Sequence, residues 1–213
     1  MNSIVGALTT EDIARILNPY RVTLDDGMLA QVQAYVGLLI AWNKRISLTT
    51  VIAPQEVMKF HFGESLFAAS VVPIQVGRLA DVGAGAGFPG IPLKILNPCI
   101  DLKLIESNAK KCAFLSEVVR KLGLSDVEVV HSRTESVPSD LGPFDFVTAR
   151  AVGDHAGTLS WAKQRLSPLG KVVLWLGGED AKKLSSERGW DWHSLVMIPG
   201  ARQRYILVGS PER

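Results

Sequence analysis

Asp81-Val82-Gly83-Ala84-Gly85-Ala86-Gly87-Phe88-Pro89-Gly90 follows the apolar run Arg78-Leu79-Ala80 without a break. Four glycines fall within the eight residues 83–90, and that density after a strand-like run marks a backbone that turns sharply and lets a ligand come close. In an open parallel sheet the ligand sits beyond the carboxyl ends of the strands, where strand order reverses. The loop after the first strand is therefore the natural site. A tight turn that holds nothing is the plain alternative.

What the loop holds is narrowed by its neighbours. A dinucleotide fingerprint, G-x-G-x-x-G, would put its third glycine where Phe88 stands, whereas the glycines are Gly83, Gly85 and Gly87. Asp81 ends the strand, and a carboxylate there opposes a pyrophosphate and suits a ligand with positive charge. S-adenosylmethionine is such a ligand, with a sulfonium and an ammonium against one carboxylate and no phosphate. The second apolar run ends in Leu104-Ile105-Glu106, placing an acid 19 residues after Gly87, at the spacing where a carboxylate takes ribose hydroxyls. NAD enzymes use the same device, so Glu106 alone does not choose between the two.

The rest of the chain agrees with an ordinary globular enzyme. Its 213 residues are 47% hydrophobic and 21% charged, enough for one domain with a modest extension. No run approaches the ~20 apolar residues of a membrane-spanning helix, the start Met1-Asn2-Ser3-Ile4-Val5-Gly6 lacks a basic segment ahead of a greasy one, and a cytoplasmic protein is expected. Cys99 and Cys112 have no CxxC spacing and no histidine partners. Both are expected to be free, packed thiols, with no metal. Net charge is +2; residues 1–75 carry five Lys or Arg against six Asp or Glu, and the remainder eighteen against fifteen. Any RNA surface must then be a local patch, drawn from Lys110-Lys111, Lys163 with Arg165, Lys182-Lys183, or Arg202 with Arg204.

Two kinds of pattern run along the chain. From Thr10 to about Ala69 it is helical: Thr9-Thr10-Glu11-Asp12 reads as a capped start, Leu29, Val32, Val36, Leu39 and Ile40 share one helix face, and Pro54 opens a further helix. From Arg78 short apolar runs (78–82, 100–105, 127–130, 144–148, 171–176) alternate with helix-like stretches (91–97, 109–122, 154–166, 180–187). Strand, helix, strand in this order implies parallel pairing with helices on both faces. The turn Pro199-Gly200-Ala201 between 192–198 and 204–208 predicts a closing antiparallel hairpin. The expected fold class is α/β and Rossmann-like: a mostly parallel sheet with an antiparallel last strand over residues 76–213, preceded by a helical extension over residues 1–75.

The stretch from Asp81 to Leu93, with its Phe-Pro-Gly-Ile-Pro-Leu continuation, resembles the cofactor loop of the bacterial small-subunit ribosomal RNA methyltransferase G family, also called glucose-inhibited division protein B. Further matches span nearly the whole chain: Trp42-Asn43-Lys44 with Leu48-Thr49, His61 with Ser65, Lys110 to Leu115, Phe144-Asp145, and Ala149-Arg150-Ala151. The resemblance implies a class I S-adenosylmethionine-dependent methyltransferase that modifies guanine N7 in 16S ribosomal RNA, acting on RNA or the small ribosomal subunit and working as a monomer. It further implies that Gly83 and Phe88 line the cofactor loop, Glu106 holds the ribose, Thr134 and Glu135 meet the adenine, Arg150 faces the methionine end or the substrate, and His61 helps to position RNA or cofactor. Arg150 also stands out on its own, as a charge ending an apolar strand needs a cleft or a partner; a surface ion pair with Asp145 or Asp154 is the plain alternative.

Guanine N7 has a lone pair and no proton, so alignment rather than base catalysis is what such a site must supply. In keeping with this, no Asn-Pro-Pro-Tyr follows the fourth apolar run. The chain departs from the family pattern at three places. Phe60-His61-Phe62-Gly63-Glu64-Ser65 stands where Arg-His-x-x-Asp-Ser is expected, Ser47 where Asn precedes Leu-Thr, and Leu176 where Lys precedes Gly. Two of these remove a positive charge from the expected RNA side. Two other functions therefore stay open: an RNA-binding module without chemistry, and an NAD-dependent oxidoreductase, which the glycine spacing and Asp81 disfavour.

Overall fold

Runs rich in Val, Ile and Leu become strands here because helices cover both faces of the sheet they form. The computed structural model describes residues 8–212, so Met1–Gly6, read above for a leader pattern, lies outside them. Strands β1 (Gly77–Val82), β2 (Ile100–Glu106), β3 (Val127–His131), β4 (Phe144–Arg150) and β5 (Leu166–Gly177) are parallel and ordered β3-β2-β1-β4-β5. The short strands β6 (Trp190–Trp192) and β7 (Val196–Met197) both pair antiparallel with β8 (Arg204–Pro211), which itself runs antiparallel to β5. The order reverses at β1, so its loop occupies the switch point.

The predicted closing hairpin is present as β7–β8, but residues 192–198 do not form one strand: β6 and β7 meet different ends of β8. Strand β5 starts five residues earlier than the apolar pattern suggested. A register irregularity opposite Phe144 and Phe146 lets Pro168 and Gly170 lie within it.

Of the helices, α1 (Thr10–Leu17) begins with the expected reciprocal cap between Thr9 and Asp12. Helix α2 (Asp26–Asn43) buries Val32, Tyr35, Val36 and Leu39. The helix expected from Pro54 is a chain of short pieces, α3 (Pro54–Val57), a π-helical turn (Met58–Gly63), α4 (Glu64–Leu66) and α5 (Ala68–Val71). Helices α6 (Gly90–Leu96) and α7 (Ala109–Leu122) cover the same face of the sheet as this N-terminal group, and α8 (His155–Arg165) and α9 (Gly178–Leu184) cover the other.

Two side chains depart from expectation. Cys112 is buried, as predicted, but Cys99 is exposed, because it lies in the turn just before β2 rather than in the strand. Leu176, where a lysine was expected, is 3% exposed and packs with Ala181, Leu184 and Trp190, so its side chain belongs to the core under α9.

The N-terminal pieces press tightly on one another. A Cβ added to Gly63 would lie 2.7 Å from Cζ of the buried Tyr20 ring. Gly63→Ala should therefore lower stability by about 1–3 kcal/mol despite the better helix former, since an overpacked core resists even one methyl. A urea melt checks this; unchanged stability would mean the Tyr20 ring yields freely.

Candidate active site

The glycine loop is held from inside and from outside. Inside, Asp81 is 0% exposed. Its Oδ2 accepts the Gly90 N–H at 2.9 Å and its Oδ1 the Thr148 hydroxyl at 2.8 Å. Thr148 is the register partner of Asp81 across β1–β4, so the bond follows from strand pairing. Burial pushes the Asp81 carboxyl up to about 7, against the pull of Thr148, Gly90 and Arg150. The carboxylate read from sequence as facing a cationic ligand thus turns inward and shapes the loop. Gly90 must stay bare, for a Cβ there would lie 2.8 Å from Asp81 Oδ2.

Outside, the Tyr35 hydroxyl of α2 donates to the Ala86 carbonyl. Its ring stacks on Phe88 at 5.2 Å with 10° between planes, and Phe88 in turn stacks on His61 at 4.8 Å. Gly87, at φ +87°, passes so close to Tyr35 and Ile91 that no side chain fits. The helical extension is therefore one wall of the loop.

Glu106 ends β2 and is 7% exposed. One carboxylate oxygen accepts Gly85 N–H at 2.9 Å, the other Asn108 N–H at 2.7 Å. Each oxygen keeps a lone pair, so the group can still take two hydroxyls.

On the α8 side of the sheet, a groove of about 460 Å³ opens between α8 and the turn after β3, lined by Gly83, Thr134, Glu135, Val152, Thr158 and Trp161 among others. That volume suits a nucleoside-sized ligand. The Trp161 indole N–H lies behind this wall, buried and without a partner among the described residues.

Arg150 lies elsewhere. It is not on the groove but in a buried cluster beneath the N-terminal helices. Its guanidinium donates to the Phe60 carbonyl at 2.6 Å, to Glu64 Oε2 at 3.3 Å and to the Ser65 hydroxyl at 3.4 Å. Neither Asp145 nor Asp154 pairs with it: Asp145 takes the Arg78 N–H and the Ser167 hydroxyl, and Asp154 caps α8. The other oxygen of Glu64 holds Arg204 at 2.8 Å. Burial raises the Glu64 carboxyl while the two arginines pull it back. A buried carboxylate with two guanidiniums is the arrangement in which ionisation survives desolvation.

His61 adjoins this cluster. Arg150 Nη2 lies 3.5 Å from Nδ1, and Thr49 Oγ1 lies 2.8 Å from Nε2. A guanidinium has only donors, which assigns the ring proton to Nε2 and makes Thr49 its acceptor. Burial and the two arginines push the imidazole down to about 4. Asn43 fixes Thr49 in turn, accepting the Leu48 and Thr49 N–H groups and donating to the Thr49 carbonyl.

The residues expected at the site thus form three groups: Gly83, Thr134 and Glu135 on the groove; Asp81, Gly85, Gly87 and Glu106 in and around the loop; Phe88, His61 and Arg150 in the cluster. Tyr35, Thr49 and Glu64 were not singled out from sequence as site residues, and Arg204 was named only as half of a candidate RNA patch with Arg202. Tyr35 did carry a signal, a hydroxyl on an apolar helix face.

A β3-β2-β1-β4-β5 parallel sheet extended by an antiparallel strand, with a glycine loop after β1 and a carboxylate ending β2, defines the class of Rossmann-like S-adenosylmethionine-dependent methyltransferases. Solved structures of that class superpose on it: a precorrin-6y C5,15-methyltransferase from Geobacter metallireducens (TM-score 0.60, 20% identity, covering 78% of this chain and 91% of that one) and a SAM-dependent methyltransferase from Aquifex aeolicus (TM-score 0.59, 16% identity, 72% and 90%). Curated relatives named ribosomal RNA small subunit methyltransferase G include one from Roseiflexus castenholzii, 42% identical over 68% of this chain and 64% of its own length, and one from Pseudomonas aeruginosa, 35% identical over 93% and 94%. The family model for GidB, rRNA small subunit methyltransferase G, matches residues 28–195. The chain belongs to this family.

His61 and Asp81 should move stability with pH in opposite directions. Folded His61 binds its proton more weakly than the ordinary 6.5, so its contribution is present above pH 6.5 and lost as pH falls towards 4. Folded Asp81 binds its proton more tightly than the ordinary 3.8, so its contribution is full below that and lost as pH rises through about 7. Relative to the parent, His61→Phe should gain stability as pH falls from 6.5 to 4, and Asp81→Asn should lose it over the same interval, in denaturant melts across pH. Parallel curves would show that neither group is shifted.

Proposed function

We propose that the chain transfers a methyl group from S-adenosylmethionine to N7 of a guanine in 16S ribosomal RNA. The observation that carries the reading is the linkage of loop and cluster through the Tyr35–Phe88–His61 stack, which sets the glycine loop beside the arginine cluster of Arg150 and Arg204 around Glu64. The bound cofactor supplies an electrophilic methyl on a sulfonium. This chain's residues supply orientation, worth roughly 7–11 kcal/mol in a well-aligned transfer. In this reading Glu106 holds the ribose, Thr134 and Glu135 meet the adenine side, and Arg150 faces the methionine end or the RNA. A neutral His61 whose proton is tied to Thr49, and an Asp81 turned into the loop, are poor proton acceptors for a substrate. Attack by N7 asks for none. The helical extension (residues 1–75) and the sheet domain (76–213) act in this reading as one unit, because Tyr35 and Glu64 reach from the first into the second.

The reaction is tested by incubating the protein and methyl-labelled cofactor with small ribosomal subunits from cells lacking it, then mapping the label. Label on guanine N7 of 16S RNA is expected; label on an exocyclic amine or a ribose oxygen overturns the assignment, and RNA binding without transfer favours a binding module. Glu106→Gln should weaken S-adenosylhomocysteine binding about 10- to 150-fold in calorimetry, the worth of a charged hydrogen bond, since an amide cannot accept from both Gly85 and Asn108 and still serve a ribose. Parent affinity in that variant would remove Glu106 from the ribose.

A further inference from the structure

We propose that Phe60 is the stacking platform for an unpaired nucleobase of the RNA substrate, with Lys59 and Arg204 placed to take the adjoining phosphates. The inference rests on the reading of the site as one that receives RNA, and it names a contact within it.

The ring sits in the π-helical turn Met58–Gly63, where Met58 and Phe62 are fully buried and Phe60 is left half-buried. π-helical turns are rare and occur frequently at functional sites. The ring is rooted at the site, because its own carbonyl accepts Arg150 Nη2 at 2.6 Å. Two cations lie over it: Arg204 Cζ is 5.0 Å from the ring centroid and Lys59 Nζ 5.3 Å.

Charge in this corner is unbalanced. Arg150, Arg204 and Lys59 are set against Glu64 and, for Arg150, the buried Asp81, and Lys59 forms no ion pair among the described residues. Glu64 fixes Arg204 in direction, so one of the cations is already ordered before anything binds. A nucleotide offers a flat π-face and an anionic phosphate in one unit: its phosphate draws the exposed Lys59 off the ring, and its base takes the face that Lys59 leaves. Base-on-aromatic stacking is worth about 1–3 kcal/mol per base and is the general means by which proteins grip single-stranded RNA. The same ring explains how this chain manages without an arginine at position 60: Arg204 and Lys59 bring positive charge to the spot from β8 and from the preceding residue.

The test uses the full chain and its Phe60→Ala, Phe60→Leu and Phe60→Tyr variants. A short fluorescein-labelled single-stranded RNA gives Kd by anisotropy, small subunits from cells lacking the protein give KM, and calorimetry gives the S-adenosylhomocysteine Kd. Phe60→Ala and Phe60→Leu should raise the RNA Kd and KM about 5- to 150-fold. Phe60→Tyr should keep parent values, and the S-adenosylhomocysteine Kd should be the same in all. Leu preserves apolar bulk, so its thermal midpoint guards against a folding artefact; parent RNA affinity and KM in Phe60→Leu overturn the platform. Lys59→Ala should lower the slope of log Kd against log salt by about 0.7, the value of one phosphate contact on a single strand; an unchanged slope removes Lys59 from the contact. The two readings fail separately. Phe60-dependent RNA binding without methyl transfer sinks the proposed reaction and leaves the platform standing, while transfer with a Phe60-insensitive KM does the reverse.

Discussion

One buried carboxylate, Glu64, holds the carboxyl-end edge of the sheet to the N-terminal helices. Its two oxygens bind guanidiniums that arrive from opposite strand directions, Arg150 at the end of β4 and Arg204 at the start of β8, and its backbone carbonyl accepts the Trp175 indole from the end of β5 at 2.7 Å. Because β8 runs antiparallel, its first residue lies at the edge where its parallel neighbours finish, and Arg204 pairs in register with Gly177. Removing Glu64 alone would leave the Arg150 guanidinium buried without its counter-charge, the case in which breaking an ion pair costs most. The N-terminal helices are thereby fastened to three strands at once.

The loop depends on that fastening. Asp81 sets its inner contour through Gly90 and Thr148, but its outer contour is a helix of the extension, touching it through Tyr35. His61 lies between the two systems, stacked on Phe88 and bonded to Thr49 while Arg150 approaches its other nitrogen. A displaced extension would disturb the glycine loop and the arginine cluster together.

The parts of this legible in the sequence were local. The glycine spacing placed the loop, the acid ending the second run placed Glu106, α7 was bounded correctly by its pattern, and Thr9 with Asp12 announced α1. What escaped depends on pairing between distant segments. Arg150 was recognised as needing a partner, yet its partner lies 86 residues earlier, where nothing in the local pattern marks Glu64 as buried. Asp81 was placed correctly at the strand end, but which way its carboxyl turns depends on Thr148 across the sheet. Cys99 and the early start of β5 were misread for a related reason: proline and glycine punctuate loops, and here a bulge and a turn absorbed them differently.

The place of β8 also governs when the protein becomes competent. The bond from Trp175 to Glu64 closes across 111 residues, and the one from Arg204 closes across still more. During synthesis the glycine loop, Glu106 and Arg150 all leave the ribosome before β8, and Glu64 waits with half its charge unanswered. The glycine loop and its carboxylates belong to strands made early, whereas the Arg204–Glu64 pair exists only after the final strand has slotted against β5.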